Sequence, residues 1–308
     1  MGSHDMAGDW REAARRELLE SRGGAAAWGY RAGASPGVEP TALACLGLLA
    51  SRRESASEAD LTAVRAAAGL LARLQRPDGS LGVSGDPAMP GWATPYALVL
   101  WSALEGYEAP RRRAASWLLE QEGLTSTLTP ELRRVIGHDP SLRGWSWASD
   151  TSSWLEPTAM AVWALRRQGQ AGHPRVVEGL RLIRDRAIAA GGWNYGNKAV
   201  FGRDLRPQPG PTGLALLSMA GAEGRSAMVE RASDYLLAAL PGTRASASLG
   251  WGLLGLRAWG HRPALADDWL AEAYRKVAGR PDAAPRLASL LLAGGAHAPE
   301  LFPPESPR

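Results

Sequence analysis

Two carboxylates stand at equivalent places in the sequence, each directly before a proline and a threonine that open an apolar stretch. They are Glu39, in Glu39-Pro40-Thr41-Ala42, and Glu156, in Glu156-Pro157-Thr158-Ala159. An aromatic turn precedes each one. Trp28 lies eleven residues before Glu39, and Trp145 lies eleven residues before Glu156. A carboxylate enclosed by tryptophan loses its water and holds its proton more tightly, so it can rest protonated near neutral pH and act as an acid. The indole and phenol faces around it would attract a developing cation. Glu156 is the leading candidate for a catalytic acid. Asp150, six residues earlier in Ser149-Asp150-Thr151-Ser152-Ser153, is a candidate partner, although its setting also suits an Asx-type turn. For either glutamate the plainer role is a charge that complements a helix N-terminus.

The elements that must position these groups recur along the chain. Looser versions of the same unit are Trp193-Asn194-Tyr195 followed by Pro211-Thr212-Gly213, and Ser80-Leu81-Gly82 followed by Thr94-Pro95-Tyr96-Ala97. Proline at a first helical turn costs nothing, because its missing N–H would be unpaired there. The pattern predicts short, apolar, enclosed helices over 40–51, 95–105, 157–168, 211–221, 247–259 and 284–294. Amphipathic helices alternate with them over 7–22, 57–75, 110–121, 174–189, 225–239 and 265–278. Ser57-Glu58-Ala59-Asp60 opens one of these with a capping-box pattern, and Thr94 reads as an ordinary N-cap in the place of Glu39 and Glu156. The expected architecture is all-α: an (α/α)6 toroid, a double ring of six helical hairpins. The longest connection, 123–143, has room for a short helix near 130–135.

In such a ring the inner helices run parallel, and the aromatic turns rim one mouth of the central cavity. Trp28, Tyr30, Glu39, Trp92, Tyr96, Trp147, Trp154, Trp193 and Tyr195 are therefore expected around a substrate. Some of these rings could instead wedge between neighbouring hairpins, a reading that applies most directly to Trp145 and Trp193. Arg203 and Asp204, in the long segment before Pro211, could form a lid pair.

Composition narrows the alternatives. The 308 residues include 13 Trp but only 2 Phe, with a net charge of +4. Only Lys198 and Lys276 are lysines among 35 basic residues, so the rest are arginines. These are spread among acidic residues with no basic stripe, which argues against nucleic acid. Cys45 is the single cysteine, so no intramolecular disulfide can form, and a reducing cytoplasm suits the chain. No apolar run reaches the roughly 18 residues of a membrane span, which leaves only peripheral membrane contact open. The five histidines lack metal-ligand spacing, and no glycine-rich phosphate loop or nucleophile elbow is present. No metal and no cofactor are expected. Residues 1–5 read as the remnant of an expression tag, and one domain is expected over 6–308. Nothing in the sequence sets the oligomeric state.

The repeat resembles the squalene–hopene cyclase and prenyltransferase superfamily of α/α toroids. Gln75-Arg76-Pro77-Asp78-Gly79-Ser80-Leu81 is similar to its Gln…Gly…Trp repeat, with Leu81 in place of Trp. Gly144 to Leu165 resembles the segment that carries the Asp-x-Asp-Asp-Thr-Ala of class II terpene cyclases. Placing Thr158-Ala159 on the family's Thr-Ala sets Trp154 on its first aspartate, Glu156 on the proton-donating middle one and Pro157 on the last. One carboxylate of three is kept. The chain is about half the length of a two-domain triterpene cyclase, so the resemblance implies one toroid alone, with an acid at Glu156. The zinc chemistry of the prenyltransferase branch lacks its ligands here, because Cys45 has no matching partners.

Three functions fit these residues. The first is acid-initiated cyclisation or isomerisation of an isoprenoid-like hydrophobic substrate. The second is a non-catalytic toroid that binds a hydrophobic ligand or a partner protein. The third is a carbohydrate-active (α/α)6 enzyme with Glu39 and Glu156 as its carboxylate pair.

Overall fold

The computed structural model describes residues 4–22, 24–51, 58–84, 90–222 and 224–298. Six helices carry almost no polar side chains and are buried along nearly their whole length: α2 (Val38–Ala50), α4 (Thr94–Ser102), α7 (Leu155–Arg166), α9 (Pro209–Met219), α11 (Ser246–Ala258) and α13 (Ala283–Gly294). Each packs on the next, α2 on α4, α4 on α7, α7 on α9, α9 on α11, α11 on α13, and α13 returns to α2. A ring of helices closed in this way has an apolar interior. Only a second layer can separate it from water. That layer is α1 (His4–Ser21), α3 (Glu58–Leu74), α5 (Glu108–Glu120), α8 (Pro174–Asp185), α10 (Ala227–Ala239) and α12 (Ala266–Val277). These helices bury one stripe only, such as Val176, Gly179, Leu180 and Ile183 on α8. The fold is an all-α toroid. Ser57 of the expected capping box lies outside the described residues. The short helix expected in the longest connection is α6 (Pro130–Ile136), which packs on a two-stranded hairpin, β1 (Ala199–Val200) and β2 (Arg203–Asp204).

The repeat is held by a recurring set of bonds. Thr41 accepts the Trp28 N–H at 3.1 Å and donates back to the Trp28 carbonyl at 2.9 Å. Thr158 does the same for Trp145, Thr212 for Trp193 and Thr94 for Leu81. One hydroxyl thus satisfies two buried backbone groups that would each cost about 1–3 kcal/mol unpaired. In the Trp145 and Trp193 units a glycine precedes the tryptophan and leaves room for the threonine hydroxyl. At Gly192, φ is +85°, and a Cβ would stand 2.7 Å from the Thr212 hydroxyl.

These bonds correct the register of the second unit. Thr94 is the counterpart of Thr41 and Thr158, thirteen residues after Leu81, and not of the two glutamates. Its hydroxyl bonds Gly91 and Leu81 and caps no helix end. The residue two before the threonine is Trp92, which therefore takes the place that Glu39 and Glu156 hold. The cause is the extra 3-10 turn Gly91–Ala93 ahead of α4, which moves its proline two residues along the repeat.

The first turns of the inner helices meet at one end. The Val38 N–H bonds the Val83 carbonyl of the next unit, and the Leu155 N–H bonds the Tyr195 carbonyl of the next. Trp92 of the second unit touches Trp147 of the third. No helix among the described residues is long and apolar enough to cross a membrane.

Candidate active site

The aromatic residues divide into two sets. In the first, the indole N–H reaches a carbonyl near the end of the preceding outer helix: Trp28 to Leu18, Trp145 to Leu118 and Trp193 to Ile183, at 2.7–2.9 Å. Trp28 and Trp193 are 1% and 0% exposed. They are wedges between hairpins, as Trp145 is, and they do not line the mouth. The second set lies two residues further on: Tyr30, Trp147 and Tyr195. Tyr30 and Tyr195 are exposed, and Trp147 is half-buried. These three form the rim.

Glu39 and Glu156, at the first turns of α2 and α7, stand on either side of α4 in the ring. Tyr96 lies between them on α4, and both carboxyls act on its buried phenol. The Tyr30 hydroxyl donates to Glu39 Oε2 at 2.7 Å, and the buried Tyr96 phenol also favours the ionised form of that carboxyl. Burial pushes the Glu39 carboxyl up, and the two phenols partly offset it. Burial pushes Glu156 up to about 7, and the charge on Glu39 adds to the effect. Tyr195 faces Glu156 from the other side, its phenol pushed up by burial and by the Glu156 charge. A carboxylic acid that is still partly protonated at neutral pH, beside a second carboxyl and three phenols, is a candidate proton donor.

Aromatic rings extend the site along the mouth. Trp92 meets Tyr96 edge-on at 6.2 Å and Trp147 edge-on at 4.8 Å. Trp154, 41% exposed, lies against the backbone of Gly196, where a Cβ would stand 2.7 Å from its ring. Gly196 is held in turn by Arg186, whose buried guanidinium donates to its carbonyl at 2.7 Å and is pushed down to about 10 by burial. Trp117 escapes a sequence reading, because helical period places it among the packing positions of α5. It lines, with Trp92 and Trp147, a groove that is open to solvent between α5 and the start of α7.

Asp150 is not brought to Glu156. It is exposed in a turn at φ 57°, a left-handed conformation that aspartate tolerates. The carboxyl that acts on Glu156 is Glu39, from two hairpins away. Arg203 and Asp204 are exposed neighbours on β2, next to the tip residue Phe201, which is 89% exposed. Cys45 is buried within α2, and burial pushes its thiol up. Among the described residues no group of three His, Cys, Asp or Glu side chains could hold a metal ion.

No family model matches the chain, and no curated protein matches it. Solved structures do. The type II terpene cyclase MstE from Scytonema, as an apo variant, superposes with a TM-score of 0.65 at 17% identity, over 96% of this chain and 98% of that one. A variant of MstE in complex with geranylgeranyl dihydroxybenzoate gives 0.62 at 18% identity, over 94% and 97% of the two chains. A protein from Actinoplanes gives 0.57 at 20% identity, over 89% and 82%. The chain has a type II terpene cyclase-like fold, an all-α toroid.

Proposed function

We propose that the protein is a terpene cyclase-like enzyme that protonates an isoprenoid or similarly hydrophobic substrate with Glu156. The observation that carries this reading is Glu156 itself: among the described residues it is the carboxyl at an inner-helix start that burial and a neighbouring charge push up to about 7. The reaction class fits these side chains. Proton transfer to a carbon–carbon double bond leaves a carbocation; attack by a second double bond closes a ring and passes the cation on, and loss of a proton from a neighbouring carbon, to the Glu156 carboxylate or to water, ends the sequence with a new double bond. The faces of Trp92, Trp147 and Trp154 offer the cation a quadrupole without offering it a nucleophile. The fold agrees, since a structural neighbour holds a prenylated substrate. A cytoplasmic location, peripheral membrane contact and the absence of a cofactor belong to the same reading.

Incubation with isoprenoid diphosphates and prenylated aromatic acids, followed by mass spectrometry of the extract, tests it. Glu156→Gln keeps the shape and removes the proton, so product should disappear. Equal product from Glu156→Gln would remove Glu156 as the acid. Absence of turnover by the unmodified protein would favour a toroid that only binds its ligand.

A further inference from the structure

Glu39 is used by nothing in the proposed reaction, yet it is the most elaborately held carboxyl at the mouth. Its Oε2 accepts the Tyr30 hydroxyl at 2.7 Å, and the buried phenol of Tyr96, on the neighbouring helix, also favours its ionised form. Two phenolic donors stabilise the ionised form of a carboxyl and give the neutral form no comparable gain. Glu156, facing the same space from α7, is acted on by burial and by Glu39 only. The two carboxyls are chemically identical and differ in what surrounds them. Where two carboxyls share a site, the one with donors ionises first, and its charge then resists ionisation of the other.

We propose that Glu39 is a positioning residue for the acid: held as a carboxylate by Tyr30 and Tyr96, it keeps the proton on Glu156 between turnovers. The same negative charge lies beside the mouth in which a carbocation would form, so it would also attract that cation. Tyr30 on the turn before α2, Tyr96 on α4 and Tyr195 on the turn before α9 are the titratable groups that face the pair among the described residues. Their phenols are all pushed up and stay neutral at working pH, which leaves the two glutamates to set the local charge.

The inference rests on Glu156 being the acid, but its test does not depend on turnover. Carbon-13 label at the glutamate carboxyls allows each to be titrated by NMR in the intact protein, with Glu156→Gln identifying one signal. Glu39→Gln should lower the Glu156 midpoint by about one pH unit, as expected for removal of a close like charge. Tyr96→Phe, a milder change should Glu39→Gln fold poorly, should raise the Glu39 midpoint and lower that of Glu156. Opposite movements are not expected from general loosening of the mouth. If activity is found, the alkaline limb of its pH profile should move down with the Glu156 midpoint in both variants. An unmoved Glu156 midpoint in Glu39→Gln overturns the inference even where Glu156→Gln abolishes product. A moved midpoint in a protein that turns over no isoprenoid keeps the pairing and overturns the cyclase reading instead.

Discussion

The two arcs of the inner ring are built on opposite principles. From α9 through α11 and α13 to α2 the helices touch backbone to backbone. A Cβ at Gly213 would overlap the Trp251 carbonyl, and one at Gly255 would overlap Gly213. At Gly250 and Gly47 it would stand 2.9 and 2.8 Å from the carbonyls of Ser289 and Ala288. From α2 through α4 to α7 the space between helix starts is filled by large polar-tipped side chains: Glu39, Tyr96, Trp92 and Glu156. Close approach by glycine leaves no room for a site, whereas wider spacing needs side chains to fill it. Where those side chains carry a phenol or a carboxyl, the filling is also chemistry. The ring is a clamp on one side and a site on the other.

The largest test of this contrast is Gly213→Val. The new side chain meets backbone rather than a flexible tip, so one helix must move away from its neighbour, at a cost above the roughly 1–3 kcal/mol of ordinary overpacking. Thermal unfolding should show a much less stable or unfolded chain. Next come two tryptophans that look alike in the sequence. Trp193→Ala removes a fully buried wedge and should cost about 3–5 kcal/mol. Trp154→Ala, at the exposed rim, should cost about 1 kcal/mol or less while altering any product pattern. Equal costs would erase the division between wedge and rim.

Third is the pH dependence of stability. Glu156 rises from an ordinary 4.5 to about 7, so the folded state holds its proton more tightly than the unfolded one. That contribution is complete below about pH 4.5 and is lost as pH rises towards 7, an effect on the order of 2–3 kcal/mol. Glu39 acts in the same direction. Denaturant unfolding of Glu156→Gln should show a flatter profile over that window, with the variant the more stable protein above pH 7. Last is Thr158→Val, which strands the Trp145 N–H and carbonyl and, at about 1–3 kcal/mol for each buried group, should cost about 2–6 kcal/mol. The matching change at Thr94 should cost a similar amount if the two threonines are true counterparts, and much less if Thr94 merely caps a helix.

Much of this was legible because it is local. Proline before threonine marks helix starts wherever it occurs, and an all-apolar run such as 41–50 can only be enclosed. The short α6 follows from the same local rules. Register was less legible. Aligning prolines placed Thr94 beside the glutamates, but a single 3-10 turn displaces the proline while the threonine keeps its bond. The partner of Glu156 was hidden for a different reason. Asp150 is near in sequence and Glu39 is near in space, and only the packing of α2 and α7 on the two flanks of α4 brings their first turns together.

The sequence by itself determined the repeat, the helical class and the two carboxylates at helix starts, because period, proline and charge act within a few residues. The tertiary structure alone decided which aromatic residue of each turn is wedge and which is rim. An indole N–H needs an acceptor once it is buried, and the carbonyls of Leu18, Leu118 and Ile183 come within reach only after the outer helices have packed. It also decided that one glutamate is held by phenols and the other by burial and its neighbour's charge, since those donors arrive from separate hairpins.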